Sequence, residues 1–144
     1  MTGSTFYRTD GNAVFFDAYN RNATVTDCEF AYIGMSAVVT FGATQQEDAT
    51  VGTQPWGTVL AYNLVHELGA YQLQSSAWFT SRAALTRAEG LVVFNIPRAA
   101  INFNDGEFSF TPHSSFCVLS DRLPSSHPYL SPAQAAAAET MSRR

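Results

Sequence analysis

The sequence is short of charge and of cysteine, and each shortage argues against a class of protein. Charged residues make up 14% of the 144 residues, well below the usual quarter. The 8 basic residues are scattered and the net charge is -4, so we expect no nucleic-acid-binding surface. A disulfide framework needs more than the 2 cysteines present. We expect Cys28 to be a small core residue, and we do not expect it to pair with Cys117.

Long hydrophobic runs and metal-ligand clusters are missing as well. No apolar run reaches the roughly 18 residues that a membrane-spanning helix needs, so we expect no membrane partner. The polar start, MTGSTFYRTDGN, shows no signal peptide. No cluster supplies the ~6–8 oxygen ligands that a calcium ion needs. The sequence therefore predicts no metal site and no cofactor.

What the sequence does contain is apolar material for one packed β domain. Hydrophobic residues make up 46% of the chain, enough for a packed core. A chain of this length forms one domain at most. The many threonine, asparagine, serine, valine and phenylalanine residues favour strands over helical bundles.

An internal repeat organises residues 12–104. Four stretches place a small residue and then alanine before a β-prone run: 12-NAVFF-16, 36-SAVVTF-41, 76-SAWFTS-81 and 99-AAINFN-104. Their alanines are 24, 40 and 23 residues apart. The long middle spacing predicts an insertion. We assign it to the polar stretch 42–57, because removing those 16 residues restores a spacing of 24.

A second repeat lies out of phase with the first. The stretch 24-TVTDCEFAYIG-34 matches 59-VLAYNLVHELG-69 and, more loosely, 87-RAEGLVVFNIP-97. Each ends in an apolar residue and a Gly or Pro corner, so one period of ~20–30 residues holds two short strands. This pattern predicts a β-solenoid, in which stacked coils bury a core that no single coil can bury. A sandwich of antiparallel strands is the competing interpretation, and the lack of Asn-Gly turns between alternating strands disfavours it.

The alternation within the repeats predicts which side chains face the core. In residues 25–30 we expect the even-numbered side chains to point inward and the odd-numbered ones outward. Trp78 is predicted to face outward or to lie at a coil edge, because Ala77 and Phe79 fill the other face.

Three stretches together resemble a known fold family: 20-NRNATVTDCEFAYIGMSAV-38, 63-NLVHELGAYQLQSSAWF-79 and 92-VVFNIPRAAINFNDG-106. They resemble the right-handed parallel β-helix proteins of the pectin-lyase-like superfamily, in a largely uncharacterised branch, over roughly residues 10–106. The resemblance implies a right-handed parallel β-helix of about three to four coils. It also implies carbohydrate as the ligand, since many relatives cleave or bind polysaccharides along a groove on one parallel sheet. An extracellular location agrees with the family, although the sequence does not fix the compartment.

The resemblance stops at Gly106, where family members continue into further coils. We therefore predict a truncated β-helix domain over 1–106 and a mostly irregular tail over 107–144. Within the tail, the alanine-rich run after Pro132 predicts a short helix over 132–143. The last coil would expose an open strand edge, so we expect self-association through the ends of the β-helix.

The candidates for acid–base catalysis are Asp27, His66, Glu67 and Asp105. His66 stands next to Glu67, but adjacent strand residues point to opposite faces, so the two converge only if the following turn rearranges them. Asp27 with Glu67 or Asp105 is the pairing that could supply the two carboxylates of a glycosidase. For each of these residues the alternative is a structural role at a turn.

The candidates for ligand binding are Trp56, Trp78, Asn102 and Asn104. Aromatic rings can stack on sugars, and Trp56 lies in the predicted insertion, where loops on a rigid scaffold tend to carry function. Asn102 and Asn104 are two residues apart and share a face. Their structural alternative is hydrogen bonding to the backbone of the next coil at a corner.

The sequence as a whole predicts a carbohydrate-associated β-helix domain that binds a polysaccharide or glycan and has no catalytic activity in this chain. One alternative is a polysaccharide lyase or a glycoside hydrolase. The other is a non-functional fragment of a longer β-helix protein.

Overall fold

The computed structural model describes residues 1–43, 50 and 52–104, together with the backbone of 108–112 and 117–119. Every regular element in this part of the chain is a β-strand. The strands are β1 (Thr5–Tyr7), β2 (Val14–Asp17), β3 (Thr24–Thr26), β4 (Glu29–Ile33), β5 (Val38–Phe41), β6 (Val59–Ala61), β7 (Leu64–Leu68), β8 (Trp78–Ser81), β9 (Ala84–Glu89), β10 (Val92–Phe94), β11 (Ile101–Asn104), β12 (Phe108–Pro112) and β13 (Cys117–Leu119). The helix predicted over 132–143 lies outside the described residues.

The strands form three sheets in which every pair is parallel. Sheet 1 has the order β1-β4-β7-β10-β13, sheet 2 the order β2-β5-β8-β11, and sheet 3 the order β3-β6-β9-β12. The chain visits sheets 1, 2 and 3 in turn and then returns to sheet 1, and we call one such passage a coil. This all-β arrangement of parallel sheets is compatible with the solenoid that the repeats predict.

The strand register confirms both internal repeats. In sheet 2, Val14 lies beside Val38, Val38 beside Trp78, and Trp78 beside Ile101. Each of these residues directly follows one of the four repeat alanines, so the alanines occupy the same place in successive coils. The second repeat is confirmed in the same way, since Glu29 lies beside Leu64 and Leu64 beside Val92.

Each coil contains three strands, and the prediction of two was wrong. A residue in the left-handed backbone region separates the strands of sheet 3 from those of sheet 1: Asp27 (φ 52°), Tyr62 (φ 54°) and Gly90 (φ 56°). The stretch interpreted as one alternating strand is therefore two strands that meet at a corner. Only glycine adopts this backbone conformation without strain, and here Asp27 and Tyr62 adopt it too.

The extra residues of the long middle period lie in two places. The connection from β5 to β6 covers 42–58, against 18–23 from β2 to β3. The connection from β7 to β8 covers 69–77, against 34–37 from β4 to β5. Of the 16 extra residues, 11 therefore belong to the first connection and 5 to the second. The prediction that 42–57 holds the whole insertion needs this correction.

Two residues whose side chains were predicted from the alternation to face outward lie in the core. Val25 and Trp78 are both fully buried, with 0% of their surface exposed. The corner at Asp27 breaks the alternation, so Val25 before it and Cys28 after it both point inward. Trp78 occupies an inward-facing position of β8, while the next residue, Phe79, is only half-buried. The prediction for Cys28 is confirmed, since this free thiol is buried.

Buried side-chain amides and hydroxyls join successive coils. The Asn63 carboxamide accepts a hydrogen bond from the backbone N–H of Cys28 (2.9 Å) and donates one to the carbonyl of Val25 (2.9 Å). At another corner, the Ser36 N–H donates to Asn12 Oδ1. These bonds satisfy buried backbone groups that strands leave unpaired where they turn. Hydrogen bonding from a corner to the backbone of the next coil is the structural role considered for Asn102 and Asn104. In the described chain Asn63 makes such hydrogen bonds.

Strand pairing continues beyond Gly106. The backbone of β12 pairs with β9, and that of β13 pairs with β10. Two strands therefore lie on the C-terminal side of the predicted boundary, while the division into 1–106 and 107–144 itself stays a prediction. Among the described residues, no helix is long and apolar enough to cross a membrane.

Candidate functional site

The outer face of sheet 1 carries three ladders of side chains that run up the stack of coils. Neighbours in each ladder come from successive coils and share a register position. The ladders are Thr5, Glu29, Leu64 and Val92; then Tyr7, Ala31, His66 and Phe94; and then Arg8, Tyr32, Glu67 and Asn95. The third ladder, which we call the corner ladder, lies where the strands of sheet 1 end, and all four of its residues have a left-handed backbone. Tyr32 and Glu67 are the next-to-last residues of β4 and β7. Aromatic, acidic, amide and basic side chains thus meet on one surface.

Four rings from four coils form a continuous aromatic row: Tyr7, Tyr32, His66 and Phe94. The Tyr7 and Tyr32 rings meet edge to face with their centroids 5.3 Å apart. The Tyr32 and His66 rings meet at 6.2 Å, also edge to face. The His66 and Phe94 rings are stacked at 4.8 Å. Ala31 is too small to continue its own ladder, and the Tyr32 ring from the neighbouring corner position fills that gap.

The aromatic row lies on a rigid base and leaves ring surface open. Phe30, Val65 and Val93 alternate with the outward residues of sheet 1 and are buried in the core. Tyr7 and Tyr32 are 55% and 50% exposed. Exposed rings that are scattered singly are common on protein surfaces, but contiguous exposed rings commonly mark binding sites.

A carboxylate and an imidazole meet at the middle of the row. His66 Nε2 lies 3.3 Å from Glu29 Oε1. The His66 side chain is 16% exposed and the Glu29 side chain 45% exposed, so the carboxylate reaches solvent while the ring is largely covered. A histidine held by a carboxylate is suited to proton transfer.

Polar groups border the row on its corner side. Asn95 Nδ2 donates a hydrogen bond to Glu67 Oε1 at 2.6 Å, which links two adjacent coils. The Arg8 guanidinium lies 5.2 Å from the centroid of the Tyr7 ring, within cation–π range. The row therefore has a cation at one end and a carboxylate on each flank, Glu29 and Glu67.

Two of the predicted catalytic residues, His66 and Glu67, belong to this surface, but they do not pair with each other. His66 contacts Glu29 of the preceding coil instead, and Glu67 contacts Asn95 of the following one. The signal for Glu29 was present in the second repeat. Its register places Ala31 beside His66, and Glu29 lies on the same strand face two residues before Ala31.

Asp27 and Asp105 do not join the site in the described structure. Asp27 lies at the corner before β4, where its carboxylate accepts a hydrogen bond from the Thr26 hydroxyl at 2.9 Å. Glu67 lies at the corner after sheet 1, in register with Tyr32. Five residues of extended chain separate the two corners, or about 16 Å. Asp27 and Glu67 therefore do not form the predicted carboxylate pair, and Asp105 lies outside the described residues.

The corner at Asp27 carries a tyrosine with a perturbed pKa. The Tyr62 hydroxyl donates a hydrogen bond to Glu89 Oε1 at 2.6 Å. This hydrogen bond to a carboxylate, reinforced by the charge of Glu89, raises the pKa of Tyr62 above its ordinary value of 10.0. The interaction links two successive coils at the exposed corner after sheet 3, away from the aromatic row.

The ligand-binding candidates are dispersed over the molecule. Trp78 is buried, so the expectation that it contacts a glycan is corrected. Trp56 is 39% exposed and bridges Arg21 and Ala84 beside sheet 3. Asn102 and Asn104 lie in β11 of sheet 2, beside Phe79 and Ser81. None of the four lies in the ladders of sheet 1.

Sequence analysis placed Trp56 in a loop that could bind a ligand, and it did not find the aromatic row. The described part of that loop is held against the coils by Arg21. Arg21 donates hydrogen bonds to the carbonyls of Gln54 (2.5 Å) and Gly52 (2.6 Å), and it stacks on Tyr19. These contacts hold the described part of the long loop against the coils. Trp56 is thus a fixed surface residue, but it lies apart from sheet 1.

Among the described residues, no group of three or more His, Cys, Asp or Glu side chains could hold a metal ion.

Comparison with protein-family models, with curated proteins and with solved structures found no match to this chain. The fold and the site therefore define the class by themselves. The chain is an all-β protein of three parallel sheets, with an aromatic and acidic surface on the outside of one of them.

Proposed function

We propose that this chain is a right-handed parallel β-helix domain that binds a polysaccharide or glycan on the outer face of sheet 1, without catalysis. Support for the fold comes from the parallel sheets, which the chain visits in turn, and from the resemblance to pectin-lyase-like proteins. The aromatic row is the observation that carries the function. It provides exposed rings from successive coils, bordered by carboxylate and amide groups.

The chemistry of the surface matches that of sugars. A sugar ring presents apolar C–H groups on its faces, which pack on aromatic rings, and hydroxyls at its edges, which need hydrogen-bond partners. Glu29, Glu67 and Asn95 offer such partners beside the rings. Because neighbouring strands are ~4.8 Å apart, the surface repeats along the stack, as an extended chain ligand requires. The packed sheet fixes the rings beforehand, which lowers the entropy lost on binding.

Replacing Tyr32 with alanine should weaken glycan binding by roughly tenfold, since a central aromatic contact is commonly worth more than about 1 kcal/mol. The measurement is affinity electrophoresis against a panel of neutral, acidic and basic polysaccharides, followed by calorimetry with the best ligand. Tyr71→Ala is the matched control. Tyr71 is 76% exposed but lies in the 69–77 connection, outside the row.

Equal affinity of the wild type and the Tyr32→Ala variant would contradict the proposed surface, as would an equal loss in the Tyr71→Ala variant. A chain that binds nothing in the panel would favour the interpretation as a non-functional fragment.

The contact between Glu29 and His66 favours a second candidate, a polysaccharide lyase or glycoside hydrolase. In such an enzyme His66 would exchange a proton with the bound sugar and Glu29 would orient the ring. Loss of a general acid or base typically costs 10²–10⁴-fold in rate. His66→Gln should therefore abolish product formation almost completely, while Asp27→Asn, at the remote corner, should not.

The assay for this candidate follows unsaturated products by ultraviolet absorbance and new reducing ends by colorimetry. Glycan binding with neither signal would exclude the enzyme and leave the binding domain. Turnover that survives His66→Gln would exclude the Glu29–His66 pair as its source.

A further inference from the structure

We propose that the aromatic row selects cationic glycans, whose sugars carry free amino groups, over neutral and acidic ones. This inference rests on the proposed function, because it concerns the ligand of the same surface. It is argued from the charges around the row.

Two carboxylates flank the row on opposite sides. Glu29 belongs to the ladder before it and Glu67 to the corner ladder after it. Each uses one oxygen, Oε1, for a contact within the surface, to His66 and to Asn95. The second oxygen, Oε2, has no hydrogen-bond partner in the part of the chain that the structure describes. Both carboxylates can therefore accept a hydrogen bond from a ligand.

Cations are scarce on this surface. All 8 basic residues of the chain are arginines, and Arg8 is the one that lies in the three ladders. Its guanidinium already lies over the Tyr7 ring at one end of the row. Arg98 follows Asn95 by three residues and has no ion pair with Glu29 or Glu67 within the described residues. Among the described residues, the charged side chains that belong to the three ladders between Tyr32 and Phe94 are thus the carboxylates of Glu29 and Glu67.

The rings add to this preference. Aromatic faces carry negative potential and attract ammonium groups. A protonated amino sugar would meet a ring face and a carboxylate together. A uronic acid would instead bring a carboxylate toward Glu29 and Glu67, and like charges at close range repel. The surface is therefore selective by charge as well as by shape.

The experiment compares three oligosaccharides of equal length by calorimetry at low salt and about pH 7.5, where carboxylates are ionised. The first is a hexosamine oligomer whose amino groups are N-trimethylated. It keeps the positive charge of a protonated amine at any pH and has no N–H donor, so it reports the charge preference alone. The second is its N-acetylated, neutral counterpart, and the third is an oligogalacturonate. We expect the cationic ligand to bind tightest, with an affinity that falls as salt is added.

Three variants locate the effect. Glu29→Gln and Glu67→Gln should each lower the affinity for the cationic ligand by roughly two- to fivefold, the range of exposed ion pairs, and should therefore lower the ratio of that affinity to the affinity for the neutral ligand. Glu89→Gln removes the same charge at the Tyr62 corner and should change neither affinity.

The outcomes separate this inference from the proposed function. Tighter binding of the neutral or the acidic ligand would overturn the charge preference and keep the glycan-binding surface. An equal effect of Glu89→Gln would also overturn it, because only the net charge would then matter. Absence of binding by all three ligands would overturn both.

Discussion

Replacing Trp78 with alanine should lower the free energy of unfolding by about 3–5 kcal/mol. The indole is fully buried between the sheets, so its removal leaves a large cavity that the surrounding strands can fill only in part. Its Nε1–H also donates a hydrogen bond to Thr40 Oγ1 at 3.2 Å, and the Thr40 hydroxyl in turn donates to Thr80 Oγ1 at 2.8 Å. The change therefore removes core packing and one member of a buried hydrogen-bond chain between adjacent coils.

The measurement is urea-induced unfolding followed by far-ultraviolet circular dichroism. Trp56→Ala is the matched control, because Trp56 is the other tryptophan and is 39% exposed. We expect it to cost less than about 1 kcal/mol, as exposed positions generally do. Equal losses in the two variants would show that Trp78 does not lie in the core.

Trp78 was predicted to face outward, and the way alternation fails at corners explains much of what sequence analysis missed. Inward and outward positions alternate only within a strand, so a corner changes which positions face inward. Glycine marks some corners, as at Gly90. The same backbone conformation occurs at Asp27, Tyr62 and Glu67, where the residue type does not predict it. The direction of Val25 and Trp78 therefore could not be read from alternation alone.

The register of the coils, in contrast, could be predicted from small residues. Each coil packs directly on its neighbours, so places where the backbone comes close accept only alanine, glycine or proline. Gly69, for example, lies against the ring of Pro97 from the next coil. Because these restrictions recur once per coil, residues of the same kind recur in the sequence, and aligning them aligns the strands.

The candidate site was harder to predict because it combines side chains from separate coils. Glu29 and His66 are 37 residues apart in sequence, and neither lies in a motif of its own. Tyr32 enters the aromatic row from a corner position, beside the small Ala31. Sequence analysis reached His66 and Glu67 through their polarity near a turn, but their true partners follow only from the stacking of the coils.

Replacing Gly34 with alanine should destabilise the protein by on the order of 3 kcal/mol, as overpacking of a tight core does. A methyl group at Gly34 would overlap the backbone carbonyl of Asp10 in the preceding coil and would come 2.7 Å from the Tyr71 ring in the following connection. The Gly34 N–H also donates a hydrogen bond to the Thr9 carbonyl at 2.7 Å. The coils can admit the methyl group only by separating at this corner, which weakens that bond and the packing around it.

Gly11→Ala is the matched control for this prediction. A methyl group at Gly11 meets no atom within 4 Å, and the residue is not in the left-handed region, so the change should be neutral or stabilise the protein by up to about 1 kcal/mol. Thermal unfolding of the two variants and the wild type gives the comparison. If the Gly34→Ala variant has the same melting temperature as the wild type, the coils do not approach each other at this corner as closely as they do in the structure. If only Gly34→Ala is destabilised, the close approach of neighbouring coils requires the glycine. The same restriction on residue size recurs in each coil and produces the repeat in the sequence.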